Sequence, residues 1–193
     1  MKYKICVSGA AETSHCAKDT FKLAKELGKA IVEQNGVLMT GATTGVPYWS
    51  AVGAKEAGGF SVGISPAASE RDHIEHYRLP IDQFDIIIYT GFRYSGRNLL
   101  LTRASDAVII ACGRMGTLNE FTVAFEDEKP IGVLEGTGGL ADEIRELVGK
   151  MKRGPGKIVY DKDPHGLVKK VIALIEKERR KINHENVGPK GRL

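Results

Sequence analysis

Apolar residues in this chain fall into short continuous runs, and the stretches between them carry apolar positions at helical spacing. Tyr3 to Ser8 (YKICVS) is short enough for a strand and continuous enough to be buried on both faces. From Ala17 to Gln34, residues Phe21, Ala24, Leu27, Gly28 and Ile31 recur on one helical face, Lys and Glu fill the other, and Asn35-Gly36 is a stop signal. Val37 to Thr40 reads as a second strand, and Gly41 to Gly45 (GATTG) as a loop. Pro47 suits the first position of a new helix. Further strands are expected at Phe60 to Ile64, Asp85 to Thr90, Asp106 to Cys112, Ile131 to Leu134 and Lys157 to Tyr160. Between them a helix capped by Ser95 holds Arg97, and a second starts at Thr117 with Leu118, Phe121, Thr122 and Phe125 on its inward stripe. Ala141 to Lys152 and Leu167 to Arg180 complete the helices.

Strands alternating with helices of this length need crossover connections, so the expected fold is α/β: one doubly wound, Rossmann-like domain over residues 1–182, its mostly parallel sheet covered by helices on both faces. Residues 183–193 are expected to be a flexible tail. In such folds ligands sit beyond the carboxyl ends of the strands, and Gly9, Gly41 to Gly45, Gly91 and Gly113 to Thr117 all fall on that edge. No G-x-G-x-x-G follows the first strand, which argues against a dinucleotide oxidoreductase.

The stretch Arg97 to Glu120 (RNLLLTRASDAVIIACGRMGTLNE) concentrates the chemistry. A glycine-containing turn, Gly113, Arg114, Met115, Gly116 and Thr117, leads straight into a helix, and the first N–H groups of a helix attract an anion such as phosphate. Thr117 and Glu120 also spell a T-x-x-E capping box, so Glu120 has a structural reading beside a functional one. Arg97 near a helix start implies an anion close by. Arg103 reads equally as a ligand contact or a salt-bridge partner. Tyr48 and Trp49 could stack on a flat ring or pack the helix against the sheet.

This stretch resembles the LOG ("lonely guy") family, formerly labelled possible lysine decarboxylases, whose turn reads P-G-G-x-G-T-x-x-E. Cys112 stands where that family has proline, and Arg114 where it has the second glycine. The resemblance implies hydrolysis of the N-glycosidic bond of a nucleoside 5′-monophosphate, with Arg97 and Glu120 as catalytic residues. Phosphate or nucleotide contacts would come from Gly9, Gly41, Thr43, Gly45, Arg103, Gly113, Arg114, Met115, Gly116 and Thr117. It also implies a homodimer, an expectation joined to the apolar Val123 and Ala124 outside the main stripe of their helix. Related folds serve as molybdenum-cofactor carriers, so a binder of a nucleotide or phosphorylated pterin without chemistry is the alternative. A DNA-processing protein of the DprA type shares the fold class.

Composition narrows these readings. At 193 residues and 42% hydrophobic, the chain holds one well-buried core. The net charge of +4 is concentrated in Lys177 to Lys181 and Lys190 to Arg192, too local for a nucleic-acid face, so no nucleic-acid partner is expected. No apolar run reaches the length of a membrane span. Cys6, Cys16 and Cys112 are widely spaced and read as reduced thiols in a cytoplasmic protein. The polar segment Ser65 to Pro80 reads as a solvated rim loop, and its Asp72, His73 and His76 lack the further ligands a metal site requires. The expected site therefore uses neither metal nor cofactor.

Overall fold

The computed structural model describes residues 1–185. Seven strands form one sheet: β1 (Tyr3–Gly9), β2 (Gly36–Thr40), β3 (Ser61–Ser65), β4 (Ile86–Tyr89), β5 (Ala107–Ala111), β6 (Ile131–Leu134) and β7 (Ile158–Asp161). The order across the sheet is β4-β3-β2-β1-β5-β6-β7, and every neighbouring pair is parallel. The helices are α1 (Thr20–Glu33), α2 (Val46–Glu56), α3 (Arg93–Ala104), α4 (Met115–Glu126), α5 (Leu140–Met151) and α6 (Pro164–Glu185); α1 to α5 lie in crossovers, β3 and β4 are joined by a segment holding only a short π-helical turn, and α6 follows β7. Strand order reverses between β1 and β5, which places the loops after these strands on either side of the crevice where such sheets bind ligands.

Each face of the sheet has its own core. On one side Ile5, Val7, Leu38, Ile109 and Leu134 pack with Leu27 and Ile31 of α1 and Leu167, Val171 and Ile175 of α6. On the other, Cys6, Met39, Ile64, Val108, Ile110 and Val133 pack with Leu101 of α3, Phe121 of α4 and Ile144 of α5. Ile5 and Cys6, adjacent in β1, enter opposite cores, which is why the central strands read as continuous apolar runs rather than alternating ones. Gly28 of α1 and Gly53 of α2 each have backbone of the facing helix where a Cβ would lie, so these helices cross at close range.

Several elements differ from the expectation. α3 begins at Arg93, so Ser95 lies inside the helix rather than capping it. α4 begins at Met115 with Arg114 at the cap position, two residues ahead of Thr117. α6 runs to Glu185, so the first residues assigned to the tail are helical; the remainder of that segment lies outside the described residues. The segment 65–80 is not simply solvated: His73, in a short π-helical turn (Asp72–His76), is fully buried. Its Nδ1 lies 2.8 Å from Ser65 Oγ and its Nε2 3.1 Å from the Pro80 carbonyl oxygen, which staples the loop onto the end of β3. Cys16 and Cys112 are not free thiols but form a disulfide, leaving Cys6 as a buried free thiol.

Candidate functional site

The crevice between β1 and β5 is a cleft of about 240 Å³. It is lined by Ser8 and Gly9 from β1, Gly41 and Thr43 after β2, Arg97 and Asn98 of α3, and Arg114, Gly116, Thr117 and Glu120 at the start of α4. Two contacts tie the loops together at its rim: Val46 N donates to Ala10 O at 2.9 Å, and Thr44 Oγ1 to Ala11 O at 3.1 Å.

Glu120 lies at the floor. It is 5% exposed, accepts a hydrogen bond from Ser8 Oγ, and is ion-paired with Arg97 Nη1 at 3.2 Å. Because α4 starts at Met115, Thr117 falls within the first turn and Glu120 in the second, turned toward β1 and α3. No side chain caps this helix, so the capping-box reading of Thr117 and Glu120 does not hold. Burial pushes the Glu120 carboxyl above the ordinary glutamate value, while Arg97 and then the Ser8 hydroxyl oppose the shift. Desolvation thus outweighs the neighbouring guanidinium.

Arg97 is 5% exposed and its Nε finds no hydrogen-bond acceptor among the described residues. Gly41 explains how it fits: a Cβ at that position would strike the guanidinium. The Tyr94 ring lies 5.8 Å from the Arg97 guanidinium carbon. Asn98 donates to Asn119 Oδ1 at 3.0 Å and to Gly116 O at 3.4 Å, which links α3 to the first turn of α4.

The turn ahead of α4 combines Cys112 at φ 54° with Gly113 at φ 98°. Its carbonyl oxygens are engaged, Gly113 O by Leu140 N at 2.9 Å and Cys112 O by Ala141 N at 3.0 Å, while Cys112 N donates to Thr137 Oγ1 at 2.8 Å. The first-turn N–H groups of α4 have no partners within the helix and face the crevice end of the strands.

Of the residues expected at the site, Gly9, Gly41, Thr43, Arg97, Arg114, Gly116, Thr117 and Glu120 line the cleft. Gly45 and Gly113 shape it from behind, the first at the start of α2 at φ 67° and the second packed on Thr117. Met115 points outward and is 75% exposed. Arg103 is not brought to the cleft: it sits in the last turn of α3, exposed, with its Nε 2.9 Å from Asp127 Oδ2, so its role is that of a salt-bridge partner. Trp49 packs against Phe21 with ring centroids 5.5 Å apart at the edge of the α1 core, and Tyr48 donates to Asp82 Oδ2 at 2.8 Å. Ser8, Tyr94 and Asn98 were not singled out from the sequence. A polar residue closing an apolar strand just before a glycine was the available signal for Ser8.

The profile of the SLOG cluster4 family matches residues 2–168. The chain belongs to the SLOG cluster4 family. An uncharacterized protein of Archaeoglobus fulgidus is 34% identical over 132 residues, covering 68% of this chain and 80% of its own. The solved structure of TM1055 superposes with a TM-score of 0.74 at 25% identity, over 92% of this chain and 99% of that one. The Moco carrier protein of Chlamydomonas reinhardtii does so with a TM-score of 0.74 at 28% identity, with the same two coverages. The seven-stranded parallel sheet is thus the fold that this SLOG cluster4 chain shares with these solved structures. No helix among the described residues is long and apolar enough to cross a membrane.

Proposed function

We propose that the cleft binds a nucleoside 5′-monophosphate and hydrolyses its N-glycosidic bond. Glu120 carries this reading. Burying a carboxylate and a guanidinium costs more in desolvation than the pair returns unless further bonds offset it, and α4 does not use Glu120 as a cap. A buried ionisable group with a raised pKa, set in a crevice beside a helix N-terminus, is the arrangement expected of a functional group. The 5′-phosphate would rest on the first-turn N–H groups of α4, with the Gly41 to Gly45 loop on the opposite side. Glycosidic cleavage builds positive charge on the ribose, and Glu120 as carboxylate stabilises that charge and orients the attacking water. Arg97 supplies donors to phosphate or ribose oxygens; its buried, unpartnered Nε is a group that such an oxygen would satisfy.

A second reading is a carrier that holds a phosphorylated pterin cofactor without reacting it. The 28% identity to the Chlamydomonas Moco carrier favours it, as do Cys112 and Arg114, which replace a proline and a glycine of the hydrolase turn. The helix N-terminus and Arg97 suit a pterin phosphate as well as a nucleotide one.

The deciding measurement is free base released from a panel of nucleoside monophosphates. Wild type should turn over, Glu120→Gln should be slower by about a hundredfold or more, and Arg97→Ala should lose both affinity and turnover. No wild-type turnover anywhere on the panel, with a pterin phosphate recovered from the denatured protein, would establish the carrier instead.

The assembly belongs to the same proposal: a cytoplasmic homodimer formed through the β4 edge and α3. Ala124 of α4 lends it no surface, because it is buried in the chain's own core.

A further inference from the structure

The loop between β1 and α1 is fastened to the turn ahead of α4 by the Cys16–Cys112 disulfide, which joins residues 96 apart in sequence. His15 stands beside this link. Its Nε2 lies 3.5 Å from Cys112 Sγ and 4.0 Å from Cys16 Sγ, and the three potential ligand atoms all lie within 4.8 Å of one another. On the other side of the ring, Nδ1 lies 3.7 Å from Glu12 Oε2. With Zn–S near 2.3 Å and Zn–N near 2.0 Å, the nitrogen-to-sulfur edge of a tetrahedral zinc site is roughly 3.5 Å. The imidazole nitrogen therefore already stands about one tetrahedral edge from Cys112 Sγ and somewhat farther from Cys16 Sγ. A carboxylate facing the opposite ring nitrogen favours the tautomer with the proton on Nδ1, which leaves the Nε2 lone pair for a metal.

We propose that His15, Cys16 and Cys112 form a redox-gated site for a thiophilic divalent cation of the zinc class. Oxidised, the two sulfurs are bonded to each other and ligate nothing; reduced, two thiolates and His15 Nε2 hold the ion and leave its fourth position to water. A dithiol reductant delivers two electrons and two protons to the S–S bond, giving two thiols while the reductant closes its own disulfide. Metal entry then displaces one proton from each thiol. Cys112 is buried and would shield one side of the ion, whereas His15 is exposed and Cys16 partly so, which leaves a path of entry. Arg114 is the cation that would oppose the charge of the ion, and its pairing with Glu12 at 3.4 Å offsets that effect. The site lies outside the Glu120 cleft and uses none of its ligand-binding groups, but Cys112 adjoins Gly113, so the state of the sulfurs bears directly on the anion-binding turn.

The test uses the full chain, reduced with a phosphine, freed of reductant under inert gas, and titrated with Co²⁺ as a spectroscopic probe. The expected result is one Co²⁺ per chain, with thiolate-to-cobalt charge-transfer absorption and strong tetrahedral visible bands, both bleached by one equivalent of Zn²⁺. The untreated disulfide form should show neither. Cys16→Ser should lose the charge-transfer band or cut its intensity by about half. His15→Ala, which alters a side chain on the surface and leaves both thiols in place, should weaken Zn²⁺ binding against a chromophoric chelator by about tenfold or more, and Glu12→Gln by about tenfold. Absence of the charge-transfer band in reduced wild type would overturn the proposal, as would an undiminished band in Cys16→Ser or unchanged affinity in His15→Ala.

Discussion

Glu120 brings a charge into the interior that α4 does not need for its own stability, and the cost of that charge is measurable. Burial raises the folded-state pKa above the ordinary 4.5, so folded chains keep a proton that unfolded chains have released. The stability linked to this proton is complete below pH 4.5 and is lost as pH rises through the folded value. Subtracting the unfolding profile of Glu120→Gln from that of wild type should isolate a downward slope beginning near pH 4.5, on which the opposite trend of carboxylates with lowered pKa values, such as Asp85 and Asp161, cancels. A flat difference profile would mean that Arg97 and Ser8 fully offset the desolvation. Near pH 7 the same variant leaves Arg97 buried without its counter-ion while keeping a hydrogen-bond acceptor, so a loss of about 1–3 kcal/mol in urea unfolding is expected. Phosphate or AMP should recover part of it if the cleft binds them, in proportion to the logarithm of their concentration above the dissociation constant.

At the scale of elements, β4 departs from the pattern set by the central strands. Its apolar run Ile86–Tyr89 reads like a strand buried on both faces, but it lies at the edge of the sheet. Register pairs Ile86 with Val62 and Ile88 with Ile64, so both isoleucines stand on the α3 side of the sheet, and there they remain 48% and 49% exposed. Phe92, Tyr94, Leu99 and Leu100, at and within the α3 segment, add further exposed apolar surface. An uncharged apolar edge strand is a surface that soluble proteins usually cover, and it supports the homodimer proposed above. Ile88→Glu should then convert a dimer to a monomer by light scattering at micromolar concentration with little change in melting temperature. A wild-type chain that is already monomeric at that concentration would remove the assembly altogether.

For the whole molecule, the Cys16–Cys112 bond closes a loop of half the chain that holds β2 to β5 and so reaches across the switch point. Restricting the unfolded chain in this way is worth about 2–4 kcal/mol for a typical disulfide. Urea unfolding with a chelator present should show a loss of that order on reduction, matched by Cys16→Ser without reductant. Equal midpoints in the oxidised and reduced forms would mean that the bond leaves the unfolded ensemble nearly unchanged. With zinc in place of the chelator, part of the loss should be recovered, because an ion held by residues this far apart reimposes the constraint.

The sequence by itself determined the order and kind of the elements, because apolar runs such as Ala107–Ala111 and helical stripes such as Ala24, Leu27 and Ile31 are local patterns tied to the repeat of each structure. It also placed the glycine turns on one edge of a parallel sheet, since every crossover returns the chain to the same end. The tertiary structure alone decided which polar groups meet. Ser8 and Glu120 are 112 residues apart and Cys16 and Cys112 are 96 apart, separations to which no local pattern is sensitive. The local T-x-x-E signal suits a cap as well as a site, and only the fold separates the two: α4 starts two residues ahead of Thr117, and Glu120 turns into the crevice to pair with Arg97. Arg97 and Arg103 lie six residues apart on α3. Their position along the helix sent one into the cleft beneath Gly41 and the other out to Asp127, because an α-helix advances about 1.5 Å per residue and the crevice lies only at its first turns.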